Sequence, residues 1–271
     1  MPELPSKMFG NNADAYERYM GRWSRLIAPR FLEGLEIAAS AQWLDVGCGT
    51  GNLSLAILSS CDPAEVHGID TSPGFIAMAN EVVLDNRASF EAFDTETLPA
   101  ETAAYDAVVS GLVLNFLPDV DLGIAEMFRA VKPGGTVAAY VWDYGGKMEI
   151  MRRFWDVAVA LDPAASSFDE GKRDPVLCEP NPLRELFESA GLIDVSVKNI
   201  DAPAHFEDFD DYWLPFTGNQ GSAPRYVASL NAESRNTLRE QLRSALPISP
   251  ERGSIDLIAR AWAVSGKRPE S

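Results

Sequence analysis

The feature that most constrains this chain is an apolar run interrupted by three alternating glycines, Trp43-Leu44-Asp45-Val46-Gly47-Cys48-Gly49-Thr50-Gly51-Asn52-Leu53-Ser54. It reads as a strand that passes through a tight turn into a helix. Glycine tolerates positive φ and carries no Cβ, so such a turn lets a ligand lie directly against backbone. The dinucleotide fingerprint needs its third glycine one place later, where this chain has Asn52, and a pyrophosphate on the helix N-terminus is therefore disfavoured. Some twenty residues on, Val66-His67-Gly68-Ile69-Asp70-Thr71-Ser72-Pro73 puts an acid at the end of a second strand, where a carboxylate can accept both hydroxyls of a ribose.

Short apolar runs then alternate with amphipathic stretches as far as Trp142. The runs AAYDAVVSGLVL and TVAAYVW lack strict two-residue alternation, as expected of strands covered on both faces by helices. The inferred fold is α/β, a doubly wound seven-stranded and mostly parallel sheet. Lys132-Pro133-Gly134-Gly135 reads as a turn between a helix and the next strand. Beyond Trp142, Lys147–Leu161 and Pro182–Ala190 read as helices, Pro163–Asn181 as a loop, and Ile193–Ile200 and Ile255–Ala263 as strands. Phe206–Pro250, with a helix over Ser234–Leu246, reads as a helical insertion before the last strand. Residues 12–37 read as a helix with Tyr16, Tyr19, Met20, Trp23, Leu26 and Ile27 on one side, which Pro29 should end or kink. The expected organisation is one domain over residues 1–271: a helical lid at 1–38, a ligand-binding core at 40–143, and an insertion at 206–250 over the substrate.

Composition narrows the partners. Forty Asp and Glu against 23 Lys and Arg leave a formal charge of −17, which repels phosphate backbones and anionic lipid, so neither nucleic acid nor membrane is an expected partner. The charge is concentrated: residues 61–130 carry thirteen acids against only Arg87 and Arg129, and the plain reading is a solvated face. Cys48, Cys61 and Cys178 are too scattered for a disulfide framework or a zinc site, which fits a reducing cytoplasm. No stretch has the roughly 18 uninterrupted apolar residues of a membrane span.

The glycine turn and Asp70 continue in register through Phe93-Asp94-Thr95-Glu96-Thr97-Leu98-Pro99, Tyr105-Asp106-Ala107-Val108-Val109-Ser110, Leu114-Asn115-Phe116-Leu117-Pro118-Asp119 and Val131-Lys132-Pro133-Gly134-Gly135. Together these motifs resemble the class I S-adenosylmethionine-dependent methyltransferases with a type 11 methyltransferase domain, especially the branch of the ubiquinone and menaquinone biosynthesis enzymes. The resemblance implies a Rossmann-like methyltransferase fold, S-adenosyl-L-methionine as cofactor and S-adenosyl-L-homocysteine as product. It also implies residue roles: Gly47, Cys48 and Gly49 against the methionine part, with Asn52 at the start of the following helix and Asp45 near the amino group. Asp70 would hold the ribose with Thr71 beside it, Asp94 and Thr95 would meet the adenine, and Ser110, Gly111 and Leu112 would line the pocket near the sulfonium.

The sulfonium is a good leaving group, so positioning and desolvation can supply most of an in-line methyl transfer. Family members often carry histidine after the fourth strand. This chain has Asn115-Phe116 there and only His67 and His205 overall, which leaves proton removal to an ionised acceptor, to an acid such as Asp143, to His205, or to nothing. Tyr16, Tyr19, Trp23, Asn115, Trp142 and Trp213 are the expected acceptor contacts, and their rings suggest a small apolar or aromatic molecule. A cofactor-binding protein without transfer, and an enzyme using the cofactor without methyl transfer, remain open alternatives, as does the oligomeric state.

Overall fold

The computed structural model describes residues 20–93, 98, 102–173, 176–218 and 221–270. Seven strands form one sheet: β1 (Gln42–Val46), β2 (Glu65–Asp70), β3 (Ala88–Ala92), β4 (Tyr105–Gly111), β5 (Val131–Trp142), β6 (Ile193–Phe206) and β7 (Ile255–Lys267). Their order is β3-β2-β1-β4-β5-β7-β6. The first five run parallel, while β7 is antiparallel to both β5 and β6. The helices are α1 (Arg22–Glu33), α2 (Asn52–Ser60), α3 (Pro73–Val82), α4 (Val120–Ala130), α5 (Glu149–Leu161), α6 (Glu170–Arg173), α7 (Pro180–Ser189), α8 (Phe209–Trp213), α9 (Ser222–Ser229) and α10 (Ala232–Ala245). The doubly wound sheet and the helices between β6 and β7 are those the sequence pattern called for.

Three expectations need correction. The first helix does not stop at Pro29, because α1 runs through it to Glu33. Proline removes the bond its amide would make to the Arg25 carbonyl, and both residues lie on the exposed side, where water can serve that carbonyl. Lys132–Gly135 is not a turn before a strand but a bulge inside β5: Tyr105 pairs with Val131 and Ala107 with Thr136, so four residues face Asp106 alone. Gly134 supplies the positive φ of 76° that this excursion requires. Finally, β6 continues past Ile200 to Phe206 even though it contains Pro203. As an edge strand it spends only one side of its backbone on pairing, so a missing N–H is tolerated.

One buried cluster joins α1, α5, α8, α9 and α10 to a face of the sheet, and a second packs α4 and α7 on the other face. In α1, Trp23, Ile27 and Phe31 recur on one side and are buried. Trp23 lies 5.1 Å from the Phe206 ring and Phe31 lies 4.8 Å from Tyr140. Arg22 stacks over Trp23 at 4.2 Å and bonds Asp211 of α8, which ties the first helix to the insertion. Trp23 is thus a packed core residue, and Trp23→Ala should lower stability by about 3–5 kcal/mol, the range for truncating a large buried aromatic. Denaturant unfolding checks this; an unchanged midpoint would show that the ring contributes little to the core.

Candidate active site

The glycine turn follows β1 and is clamped to β2. The amides of Gly47 and Cys48 both donate to the Ile69 carbonyl, at 2.8 and 2.9 Å. Gly49 donates to Asp70 Oδ2 at 3.0 Å, while Asp70 Oδ1 accepts from Ser72 at 2.8 Å. Gly47 has φ of 74° and a Cβ there would sit 2.4 Å from Val113, so only glycine fits beneath the loop that follows β4. At Gly49 a Cβ would meet nothing within 4 Å: the turn is packed on its inner side and open on its outer side.

Asp45 sits under this turn, fully buried, between Gly68 of β2 and Val109 of β4. Its Oδ2 accepts from Ser54 of α2 at 2.7 Å, while its Oδ1 has no partner among the described residues. Burial pushes its carboxyl up to about 7, against the lowering effect of the Ser54 bond and with a smaller push from the Asp70 charge. Asp70 is likewise raised by desolvation, offset by its two backbone donors. The Cys48 thiol, buried beside these two acids, is pushed well up, which is the opposite of an activated nucleophile.

Residues 44–139 match the family model of a methyltransferase domain. The chain carries a class I S-adenosylmethionine-dependent methyltransferase domain. The trans-aconitate 2-methyltransferase of Variovorax paradoxus is 26% identical over 264 residues, covering 95% of this chain and 98% of that protein. A demethylmenaquinone methyltransferase of Staphylococcus aureus is 32% identical over 133 residues, covering 47% of this chain and 52% of its own length. Among solved structures, the Haemonchus contortus phosphoethanolamine N-methyltransferase 2, in complex with phosphomonomethylethanolamine and S-adenosylhomocysteine, superposes with a TM-score of 0.58 at 19% identity. That match covers 98% of this chain and 59% of that one, and it bears on the fold alone.

The methyl donor of this methyltransferase is S-adenosylmethionine. Two features of the turn suit that cofactor: a buried carboxylate oxygen with no donor, and backbone left open at Gly49. The remaining expected residues fall in several environments. Thr71 is exposed just after Asp70, and Asn52 opens α2 half-buried. The Ser110 hydroxyl is committed to the Val46 carbonyl at 2.9 Å, so it ties β4 to β1. Gly111 is pressed by the Tyr140 hydroxyl, 2.6 Å from where a Cβ would stand, and Leu112 takes a strained positive φ of 64°. Asp94, Thr95, Tyr16 and Tyr19 lie outside the described residues.

Of the aromatic acceptor contacts, Trp23, Trp142 and Trp213 are buried in the larger core cluster, and Trp213 stacks parallel to Phe209. Asn115 is half-buried in a short 3-10 turn after β4. His67 shares a 2.8 Å bond with the Tyr105 hydroxyl, and burial lowers its affinity for a proton. His205 is half exposed on β6 and bonds Asp256 at 2.7 Å. Asp143, buried after β5, accepts the Lys147 amide and so caps its own turn. The sequence reading missed Ser54, Val113 and Tyr140. Ser54 had a signal, since it stands in the first turn of a helix whose N-terminus faces the end of β1; the other two meet the turn only through tertiary packing.

Folded Asp45 keeps its proton to higher pH than in the unfolded chain, so the stability tied to that proton is lost as pH rises through about 7. Unliganded protein is therefore expected to lose stability relative to an Asp45→Asn variant between about pH 5 and 8. Urea melts across that range check the prediction; parallel curves would mean that Asp45 is ionised throughout.

Proposed function

We propose that this enzyme transfers the methyl group of S-adenosylmethionine to a carboxylate oxygen of a small organic acid. The observation that carries the cofactor half of this reading is the unpartnered, fully buried Oδ1 of Asp45 beside an open glycine turn. A lone buried acceptor is costly unless a ligand supplies the donor, and an ammonium group meets both its charge and its hydrogen-bonding need. On this reading Asp45, Gly47, Cys48 and Gly49 hold the methionine end, with Asn52 behind them. Asp70 and Thr71 take the ribose, Asp94 and Thr95 the adenine, and Ser110, Gly111 and Leu112 form the wall toward the reacting methyl. When bound, the cofactor supplies a methyl group on a sulfonium for in-line displacement. Residues 40–143 serve as its cradle, with 1–38 and 206–250 covering the acceptor.

The acceptor class follows from what the side chains are already doing. Among the described rings that suggested an apolar, ring-bearing acceptor, Trp23 packs on Phe206, Trp213 on Phe209, and Trp142 is buried in the same core cluster, so these three give that acceptor little support. His67 is committed to Tyr105 and is not proposed as a general base, and His205, whose Nδ1 bonds Asp256, is not required as one. A carboxylate needs none, because it is ionised at neutral pH. Its poor nucleophilicity in water is relieved by desolvation and alignment, which a buried, preorganised site provides. The relative matched over nearly its whole length is named for methylating trans-aconitate, a carboxylate, which supports the same class.

Incubation with methyl-labelled S-adenosylmethionine and a panel of di- and tricarboxylates should give base-labile label in a methyl ester. Retention of cofactor with no transfer to any extract fraction would instead favour a binding protein. Asp70→Ala is expected to weaken S-adenosylhomocysteine binding by roughly 1–3 kcal/mol, since the ribose loses its acceptor and the Gly49 and Ser72 amides lose theirs. Calorimetry measures this, and unchanged affinity would refute the assignment. The same titration in wild-type protein should show affinity rising with pH up to about 7, as Asp45 ionises to meet the ammonium group, and Asp45→Asn should flatten that rise.

A further inference from the structure

Asp45 has two carboxylate oxygens, and Ser54 decides which of them is free. Both residues are fully buried. Asp45 is fixed by β1, which pairs at this residue with Gly68 on one side and Val109 on the other. Ser54 stands in the first turn of α2, the helix that leaves the glycine turn, and its hydroxyl reaches back to Asp45 Oδ2 at 2.7 Å. Donor and acceptor are thus held by different elements, and the bond between them sets the rotation of the carboxylate. With Oδ2 engaged, Oδ1 is the oxygen left without a partner among the described residues.

Serine suits this place chemically. A hydroxyl has one proton to give, so it satisfies one carboxylate oxygen and leaves the other. Its bond also favours the charged form of the acid. The surroundings otherwise oppose that form. Burial raises the Asp45 carboxyl to about 7 and the Asp70 charge at the end of β2 adds to the rise, while Ser54 works against both through its hydroxyl and its backbone. The Cys48 thiol, on the turn, brings no positive charge, and neither Gly68 nor Val109 carries a titratable group.

We propose that Ser54 is a positioning residue of the cofactor site, whose hydroxyl holds the Asp45 carboxylate so that Oδ1 is left to receive the ammonium group of S-adenosylmethionine. The inference rests on the placing of that group at Asp45 under Proposed function. Ser54 acts through Asp45: it orients the acid and eases its ionisation, and no proton or methyl group passes through it.

The test is calorimetric titration of the full chain with S-adenosylhomocysteine, which carries the same amino-acid end, between about pH 6 and 9. Wild-type protein is compared with Ser54→Ala, and the ratio of their affinities cancels the ligand's own titration. Loss of one charge-assisted hydrogen bond should move the ionisation of Asp45 up by about one pH unit. The ratio should then be about tenfold at pH 6, about fivefold at pH 7 and no more than about twofold at pH 9. Ser54→Thr keeps the hydroxyl and should not show this pH-dependent deficit. In an Asp45→Asn background Ser54→Ala should give a ratio that does not change with pH, since the acid through which it acts is gone. A ratio independent of pH in the wild-type background overturns the positioning role, because a purely structural loss would weaken binding alike at every pH. The same pH-dependent deficit in Ser54→Thr also overturns it. If wild-type affinity itself does not rise toward pH 7 and Asp45→Asn leaves it unaltered, the ammonium group is not held by Asp45, and that reading falls together with this one.

Discussion

The organising constraint of this molecule is the clamp between the first two strands. Two consecutive amides at the start of the glycine turn share the Ile69 carbonyl, and the second glycine, Gly49, donates to the Asp70 carboxylate. These bonds hold the turn against β2 and keep its outer side free. They also trap Asp45 beneath it, with one oxygen satisfied by Ser54 and the other left waiting. A fold that stores an unpaired carboxylate oxygen in its interior gives up some stability when empty, and it recovers that stability on binding a cation. Affinity and stability are therefore coupled at one residue.

Asp70 shows why a site residue resists a single label. Its carboxylate is acceptor to two backbone amides before any ribose arrives. Each oxygen has a second lone pair, so structural and binding roles coexist. On β4, the Ser110 hydroxyl likewise does structural work, joining two strands through the Val46 carbonyl.

Much of this was legible in the sequence, because local pattern controls it. The glycine spacing, the acid at the end of β2 and the uninterrupted apolar strands follow from backbone geometry and two-sided burial, and each maps onto the observed sheet. Where the reading went astray, a distant contact or an edge position decided. The strand read as Ile193–Ile200 runs on through Pro203 to Phe206 because β6 is an edge. The Lys132–Gly135 excursion looks like a turn until the backbone of Arg268 is seen to close it, accepting from Gly134 and donating to Gly135. The aromatic stripe near the N-terminus could not be divided between core and acceptor contacts by periodicity, since a ring packs equally well on protein or ligand; Trp23 against Phe206 shows one that went to the core.

The larger hydrophobic cluster has a consequence for how the protein can be cut. Phe31 lies on Tyr140, and Phe154 stacks on Phe216 at 4.5 Å, so segments on both sides of residues 44–139 close over the same sheet face. A gene fragment trimmed to the span that matches the family model would strip that face bare and present a wide greasy surface to solvent. Such a piece would gather into aggregates rather than behave as a miniature enzyme. The flanks that carry the least family signature are, in mechanical terms, the other half of the wall.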